Sequence, residues 1–570
     1  MKIISNIKKL DASKRLNFFR ILALILFSTI VISHAWLSDD AYHAYTMAKN
    51  FVEGHGFVYN IGEQANSATC PLFTLIVAGV YLITQDMYIS GMLTCIVFSV
   101  LAFYILAFKI CKSPFTVVIS TIILVCSSSF ISYTTSGLEN SLIFFLSAIY
   151  LFVFFKSKKY NRKELFVLAL MEGLIATTRM DVALLFALPS VYAFVCCREE
   201  IRENTKSGIL YQHIIPLIKS LPLALAGLSP FIFWELFSIV YYGFFVPNTA
   251  FAKLNSGFPL IDYLIRGCAY IVSSGIFDIL VVIVPLLYVI YTFVKKVIGN
   301  QYRILALGVV IYLLYIIYIG GDFMAGRLLT VPMFISLVGL VSLFEHHSSI
   351  TSSQKVKTVI SIILISLLFV NLFFGISIDD DILYGGKSSA NHPYLSGVAD
   401  ERSYYYDFTN LGIYLNWIMD GSKEPSPIEK RWSSTEVDSA INRGVEGAML
   451  SWAPGILVYY KGETLLLSDP IGLGDPFLSK LPAHYSEYWR IGHMKRDIPT
   501  GYAETLSSGI NLIENPYLHE YYEKLSVIIK GGGRNLLDVE RLKIIIEMNL
   551  GKYDYLLDEY TKTLTTIYRG

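Results

Sequence analysis

Apolar runs alternate with short polar loops along the first part of the chain. The runs lie near 18–37, 71–84, 88–110, 115–131, 137–156, 164–178, 182–197, 217–242, 270–294, 304–319, 328–344 and 358–377. A helix needs about 20 apolar residues to cross a bilayer, so this pattern predicts a polytopic α-helical membrane protein. The run 71–84 is short for a crossing. Read as re-entrant or partly inserted, it leaves eleven spans; the alternative is that it crosses and another run does not.

The loops fall into two classes. KSKKYNRK (156–163), CREEIRENTK (197–206), KKVIGNQYR (295–303) and QKVK (354–357) are basic. SGLEN (136–140), TRMD (178–181), VPNTAFAKL (246–254) and GGDFMAGR (320–327) mix acids, bases and glycine. Basic loops stay in the cytoplasm, so the mixed loops are expected on the outer face. The N-terminal Lys2, Lys8, Lys9, Lys14, Arg15 and Arg20 set a cytoplasmic N-terminus. A retained signal-anchor is expected there. Ser33 and Ala35 keep a cleavable signal peptide as the alternative.

After residue 377 the pattern changes. Residues 378–570 hold no run of spanning length. They mix β-like runs (GAMLSWA, GILVYY, ETLLLSD) with helix-like ones, which predicts a C-terminal soluble α/β domain on the outer, periplasmic face. The division is therefore 1–377 for the transmembrane domain, with a first outer loop at 38–70, and 378–570 for the appended domain.

Composition agrees: 54% of the 570 residues are hydrophobic and 16% are charged. A net charge of +1 gives no bulk attraction for nucleic acid. The seven cysteines end at Cys268, so the C-terminal part has no disulfide.

Asp39 and Asp40 directly follow the first span. One reading is a general base beside a metal-binding or orienting carboxylate. The other is a cap for the helix AYHAYTMAKNFV, which explains one Asp but not two. His43 lies on that helix, and His55 in the Gly-rich turn after it. His55 is either a ligand for substrate or a structural turn residue. Arg179 with Asp181, and Asp322 with Arg327, break apolar surroundings; such charges are functional suspects or ion pairs that pin helices. Glu139, Asn248 and Lys253 complete the candidate set. Arg179, Lys253 and Arg327 together would form a cationic pocket for a lipid-linked phosphate. No Walker loop or GxGxxG signature points to a nucleotide cofactor. SDPIGLGDPFLSKLPA and WRIGHMKRDIP read as turns or as a glycan-binding lid, with Trp489 as a stacking platform.

The stretch SDDAYHAYTMAKNFVEGHGFVYNIGEQANSATCPLFTLIVAG resembles the first outer loop of GT-C glycosyltransferases. More narrowly it resembles the mycobacterial terminal β-(1→2) arabinofuranosyltransferase group and its Gram-negative relatives, one of them labelled a flagellar motor control protein. SGLEN, TRMD, FFVPNTAFAKL, GGDFMAGR and SDPIGLGDPFL…WRIGHMKR continue the likeness in order. The chain departs at Ser67-Ala68-Thr69-Cys70-Pro71, where an aromatic residue or Asn is expected before the proline.

The resemblance implies inverting transfer of a sugar, arabinofuranose among the candidates, from a polyprenyl-phosphate donor. The acceptor would be an envelope glycan, lipid or protein at the outer face of a bacterial inner membrane. Carried over, Asp39 is the base and Asp40 its partner or a ligand for a divalent cation (Mg2+ or Mn2+). Two other classes stay open: a flippase for a lipid-linked glycan, and a non-catalytic envelope or flagellar motor assembly factor. Charged residues spread through midplane spans would favour transport; acids clustered at one face favour an enzyme.

Overall fold

The computed structural model describes residues 11–67, 69–157, 159–203, 209–294, 299–346, 397–421, 424–432, 448–450, 455–461, 466–485, 489–530 and 535–564. Among these, six helices are long and apolar enough to cross a membrane: Ala12–Ser33, Met87–Ile110, Met180–Cys197, Leu260–Phe277, Asn300–Tyr318 and Arg327–His346. A pair, Ile218–Gly227 and Ser229–Tyr241, passes the same test together but bends by 64°. Pro71–Thr84, Pro114–Cys126, Asn140–Lys156 and Leu280–Val294 are shorter apolar helices. The chain is a multi-pass helical membrane protein. The expected span 358–377 lies outside the described residues.

Burial grades across the bundle. Ala12–Ser33 buries only Ala23, Phe27 and Val31, so most of its apolar surface faces outward. Arg327–His346 is buried almost throughout and forms the axis of the core. An apolar outer surface is what lipid solvates, while the axis packs against protein.

Three expected spans are interrupted: 115–131 at Ser127, 217–242 at Leu228 and 270–294 at Asp278. The run 270–294 is not one helix: it breaks at Asp278, between Leu260–Phe277 and Leu280–Val294. The Asp278 carboxylate accepts from Ser127 Oγ (2.5 Å), Ser129 N (3.0 Å) and Leu280 N (3.1 Å), so it anchors a turn rather than riding on a helix. Asp262 and Arg266 in the preceding helix masked its apolar character.

The short run 71–84 is a 14-residue helix, opened by Pro71 and ended by the left-handed Gln85. Asp86 then caps the next helix through Ile89 N (2.9 Å), so Gln85 and Asp86 alone connect the two helices.

In the C-terminal part, two of the three β-like runs supply strands. Ala448–Leu450 pairs in parallel with Leu466–Ser468. The third, GILVYY, is the helix Ile456–Lys461. A parallel pair needs such a crossover. Three further helices, Pro516–Ile529, Val539–Asn549 and Asp554–Thr563, build a second core around Leu525, Ile528 and Tyr522.

This part packs on the bundle at several places. Arg541 is fully buried and donates to the carbonyls of Val240 (2.6 Å) and Tyr241 (2.8 Å), at the end of the bent span. Gln64 N donates to Ile529 O at 2.6 Å. Residues 397–400 pair with the GGDFMAGR loop through Ala325 N to Ala399 O (2.8 Å) and Ala399 N to Phe323 O (2.7 Å).

Candidate functional site

The first outer loop is stapled in place before any site chemistry begins. Trp36 Nε1 donates to Ser132 O (2.9 Å), and Ser38 donates from both N and Oγ to Ser136 O (2.9 and 3.0 Å). The loop 132–138 lies so close that Gly137, at φ +79°, has no room for a Cβ: Ala41, Tyr45 and Leu37 would sit within 2.8 Å of it. Small size and left-handed backbone thus make the glycine of SGLEN obligatory. The loop and the helix Ala41–Val52 are fixed against Glu139.

A cavity of about 450 Å³ opens beside this helix. It collects eight of the residues singled out from sequence: Asp40, His43, Glu139, Arg179, Asp181, Lys253, Asp322 and Arg327. Five loops far apart in the chain deliver them.

The charged residues form a network. Glu139 Oε1 receives Arg179 Nη1 at 2.8 Å and Arg327 Nη2 at 3.2 Å. Arg179 also donates from Nε to Asp181 (2.8 Å). Arg327 Nη1 lies 3.5 Å from Asp322 and 3.6 Å from Asp40. Burial works against the charge of Glu139, but the two guanidiniums outweigh it and hold the carboxyl down at about 2. The ion-pair reading of Arg179–Asp181 and Asp322–Arg327 therefore holds, and it coexists with a place on the cavity wall. The expected cationic pocket is corrected in one respect: both arginines are already engaged by carboxylates. Among the described residues, Lys253 makes no ion pair.

The two aspartates have different surroundings. Asp39 Oδ1 accepts from Ile456 N at 2.7 Å, capping the helix Ile456–Lys461. Gly455 packs on the same carboxylate, and a Cβ there would fall 2.5 Å from its Oδ2. Burial raises Asp39 from 3.8 to about 7; the Ile456 and Gly455 amides oppose this and Asp40 adds to it. Asp40 precedes the helix Ala41–Val52 without capping it through its side chain. Its carboxylate is 26% exposed and lines the cavity. Among the described residues, no group donates it a hydrogen bond.

Four candidates stand elsewhere. Asp39 faces residues 455–456 and is not on the cavity lining. His55 is exposed at the end of its helix. Asn248 is buried behind the wall, its N donating to Asn66 O at 2.8 Å. Trp489 is no open platform: it is buried against Phe258 and Tyr263, with Arg266 over its ring.

In the late motifs, Asp469 takes the amides of Ile471, Leu473 and Gly474, and Asp475 takes those of Phe477 and Leu478. Arg496 donates to the backbone carbonyls of Leu481, Ile471, Met494 and Ala252. These charges shape turns. The turns in turn present Leu473, Ile491 and Gly492 to the cavity.

A divalent cation does not fit this donor set. Arg327 occupies the flank of Asp40, and the neighbouring carboxylates are spent on arginines. Among the described residues no group of three or more His, Cys, Asp or Glu side chains is arranged to hold a metal.

Sequence reasoning did not name Asn66, Thr249 and Glu235, which also line the cavity, and it marked Ser67 only as the start of a departure from the family pattern. Of the three unnamed residues Glu235 carried a signal, as an acid in an apolar run. It missed Glu401 too, buried 3.7 Å from Arg490 and raised to about 8, first by burial and then against the Arg490 charge.

No family model matches the chain. It is 23% identical over 417 residues to the terminal β-(1→2)-arabinofuranosyltransferase of Mycobacterium tuberculosis. The match takes in 66% of this chain and spans 63% of the length of that relative. The crystal structure of ArnT from Cupriavidus metallidurans bound to undecaprenyl phosphate superposes with a TM-score of 0.45 and 12% identity, over 80% of this chain and 86% of that one. The resemblance to a GT-C membrane glycosyltransferase is thus supported in sequence over 66% of the chain.

Proposed function

We propose that the protein is an inverting GT-C glycosyltransferase that moves a sugar from a polyprenyl-phosphate donor to an envelope acceptor. The observation that carries this reading is the cavity itself. It places one open carboxylate, Asp40, and one cation without an ion-pair partner among the described residues, Lys253, on the wall of a single chamber. That chamber also has apolar lining from Leu184, Phe245, Val246 and Ile319, which suits a lipid chain. The sequence similarity to an arabinofuranosyltransferase supports the same reading and makes a pentofuranose the first sugar to test.

The chemistry needs two charges at two ends of one bond. An acceptor hydroxyl gives its proton to the Asp40 carboxylate as its oxygen attacks the anomeric carbon. The bond from that carbon to the phosphate oxygen breaks, and its electron pair leaves with the polyprenyl phosphate. Lys253 stabilises the charge that develops there. Attack opposite the leaving group inverts the anomeric centre. Asp40 takes the role of base rather than Asp39, because Asp39 spends its carboxylate on Ile456 and Gly455. The near-neutral Asp39 has the better basicity for such a role, but geometry comes first. No step is assigned to a metal ion.

The test is direct. Purified protein in lipid nanodiscs is given a farnesyl-phosphate pentofuranose and an oligosaccharide acceptor. Release of farnesyl phosphate with formation of an inverted glycoside supports the proposal. A panel of neutral pentose and hexose donors that yields no transfer, with intact folded protein, overturns it.

A further inference from the structure

Unpaired polar groups gather on one side of the cavity. His43 is 7% exposed, Asn66 4% and Ser67 2%, and all three line the chamber. Both ring nitrogens of His43, Oδ1 of Asn66, Oγ of Ser67 and Oγ1 of Thr249 are buried without a hydrogen-bond partner. A buried polar atom left unpaired costs about 1–3 kcal/mol. Four residues in that condition on one wall point to a ligand that supplies the missing bonds.

The chemistry of the wall narrows the ligand. These groups are neutral donors and acceptors, and burial pushes the His43 imidazole down, toward the uncharged ring. A neutral imidazole offers one donor and one acceptor. Its flat face is stacked on Tyr59 at 5.2 Å, which fixes the ring. Position narrows the ligand further. His43 follows Asp40 by one helical turn, its N donating to Asp40 O at 3.3 Å, and it lies within the fields of both Asp40 and Lys253. A group held there shares the cavity with the base and the phosphate-binding lysine.

We propose that His43, Asn66, Ser67 and Thr249 form a hydroxyl-recognition subsite for the donor's sugar ring, selecting a neutral polyhydroxylated sugar over an amino sugar or a uronic acid. This rests on the glycosyltransferase reading. The subsite sets which sugar is carried, while Asp40 and Lys253 perform the transfer.

The experiment compares four probes on the full chain in nanodiscs: farnesyl phosphate, a farnesyl-phosphate neutral pentofuranose, a farnesyl-phosphate amino-pentose and a farnesyl-phosphate uronic acid. Wild-type protein should bind the neutral sugar lipid at least about tenfold more tightly than the other three, the gain of one or more good hydrogen bonds. Ser67→Ala and Thr249→Val keep the shape of the wall and should erase that preference while leaving farnesyl phosphate affinity unchanged and raising the ligand-free Tm, since each removes a buried unpaired hydroxyl. Asn66→Ala is the stronger variant. If the wild type binds all four alike, the subsite is wrong and the transferase reading stands. If no probe binds, the transferase reading falls, and the subsite with it. If the variants lose farnesyl phosphate and sugar lipid equally, the wall is structural and the proposal is overturned.

Discussion

On one wall of the cavity Arg179 and Arg327 share the carboxylate of Glu139, at 2.8 and 3.2 Å. On the other, His43, Asn66, Ser67 and Thr249 hold buried polar atoms that meet no partner. Both walls are polar, yet their energetics differ. On the arginine wall each charge is offset by another, and although Arg327 Nε meets no partner among the described residues, the result is a brace between distant loops. The neutral wall is unfinished. Its cost is carried by the rest of the fold until something completes it. A complete network holds shape, whereas an incomplete one marks where a ligand belongs. Asp40 stands at the seam, 3.6 Å from Arg327 and one helical turn before His43.

The largest expected effect comes from removing the seam. Asp40→Asn keeps the size of the side chain and deletes its basicity. Transfer should fall about a hundred- to ten-thousand-fold, with donor affinity little changed, measured as single-turnover rate and equilibrium binding on the same preparation. A collapse of turnover in Asp39→Asn with normal rates in Asp40→Asn would reverse the assignment of the base.

Breaking the arginine wall should cost stability instead. Glu139→Gln leaves two guanidiniums without their shared anion. Loss of one partner from a buried ion pair costs about 3–5 kcal/mol, so Tm should drop sharply even without substrate. The pH dependence follows from the sign of the shift. Glu139 is held at about 2, below its ordinary 4.5. Its contribution is complete above the ordinary value and is lost as pH falls from there through 2. An acid titration of Tm should therefore be steeper in the wild type than in Glu139→Gln; matching slopes would show that the brace is not stabilising.

Lys253→Ala is expected to act on neither wall. Among the described residues Lys253 makes no ion pair, so its removal breaks no network and should leave Tm within experimental scatter. Affinity for farnesyl phosphate should fall about tenfold, the scale of one charge-assisted contact to phosphate. Lys253→Arg should restore most of it. Unchanged affinity in Lys253→Ala would move the phosphate site elsewhere in the cavity.

The arginine wall was legible in the sequence, whereas of the neutral wall only His43 was named as a candidate, for a physical reason. Arg179, Asp181, Asp322 and Arg327 stand out because charge is rare at the ends of apolar runs. Asn66 and Ser67 lie in a loop and Thr249 in the first turn of the helix Asn248–Leu254, where neutral polar residues are ordinary, and only burial marks them as a group. The spans were readable wherever a run was uniformly apolar. The break at Asp278 was not, since the serines that hold it lie near 127–129 and the preceding helix carries Asp262 and Arg266. Asp39 shows the same limit. Its partner Ile456 is 417 positions away, so its role as a cap could not be read from its neighbours.

That long-range cap gives the smallest effect, and the one that best separates the two aspartates. Asp39 is raised from 3.8 to about 7, chiefly by burial. A carboxyl whose proton is held more tightly in the folded state favours folding when protonated, and that advantage is lost as pH rises through the folded value. The ionised form is the strained one near pH 8. Asp39→Asn mimics the protonated carboxyl and still offers an oxygen to Ile456 N. The variant should melt higher than wild type at pH 8, and the difference should be clearly smaller at pH 5, vanishing only below the ordinary value of 3.8. Glu401, raised in the same direction and in part by the Asp39 charge, is replaced by Gln in both proteins so that its titration drops out of the comparison. A difference in Tm between wild type and Asp39→Asn that is equal at both pH values would mean that Asp39 does not titrate against its cap. The distinction drawn between a structural Asp39 and a chemical Asp40 would then have to rest on turnover alone.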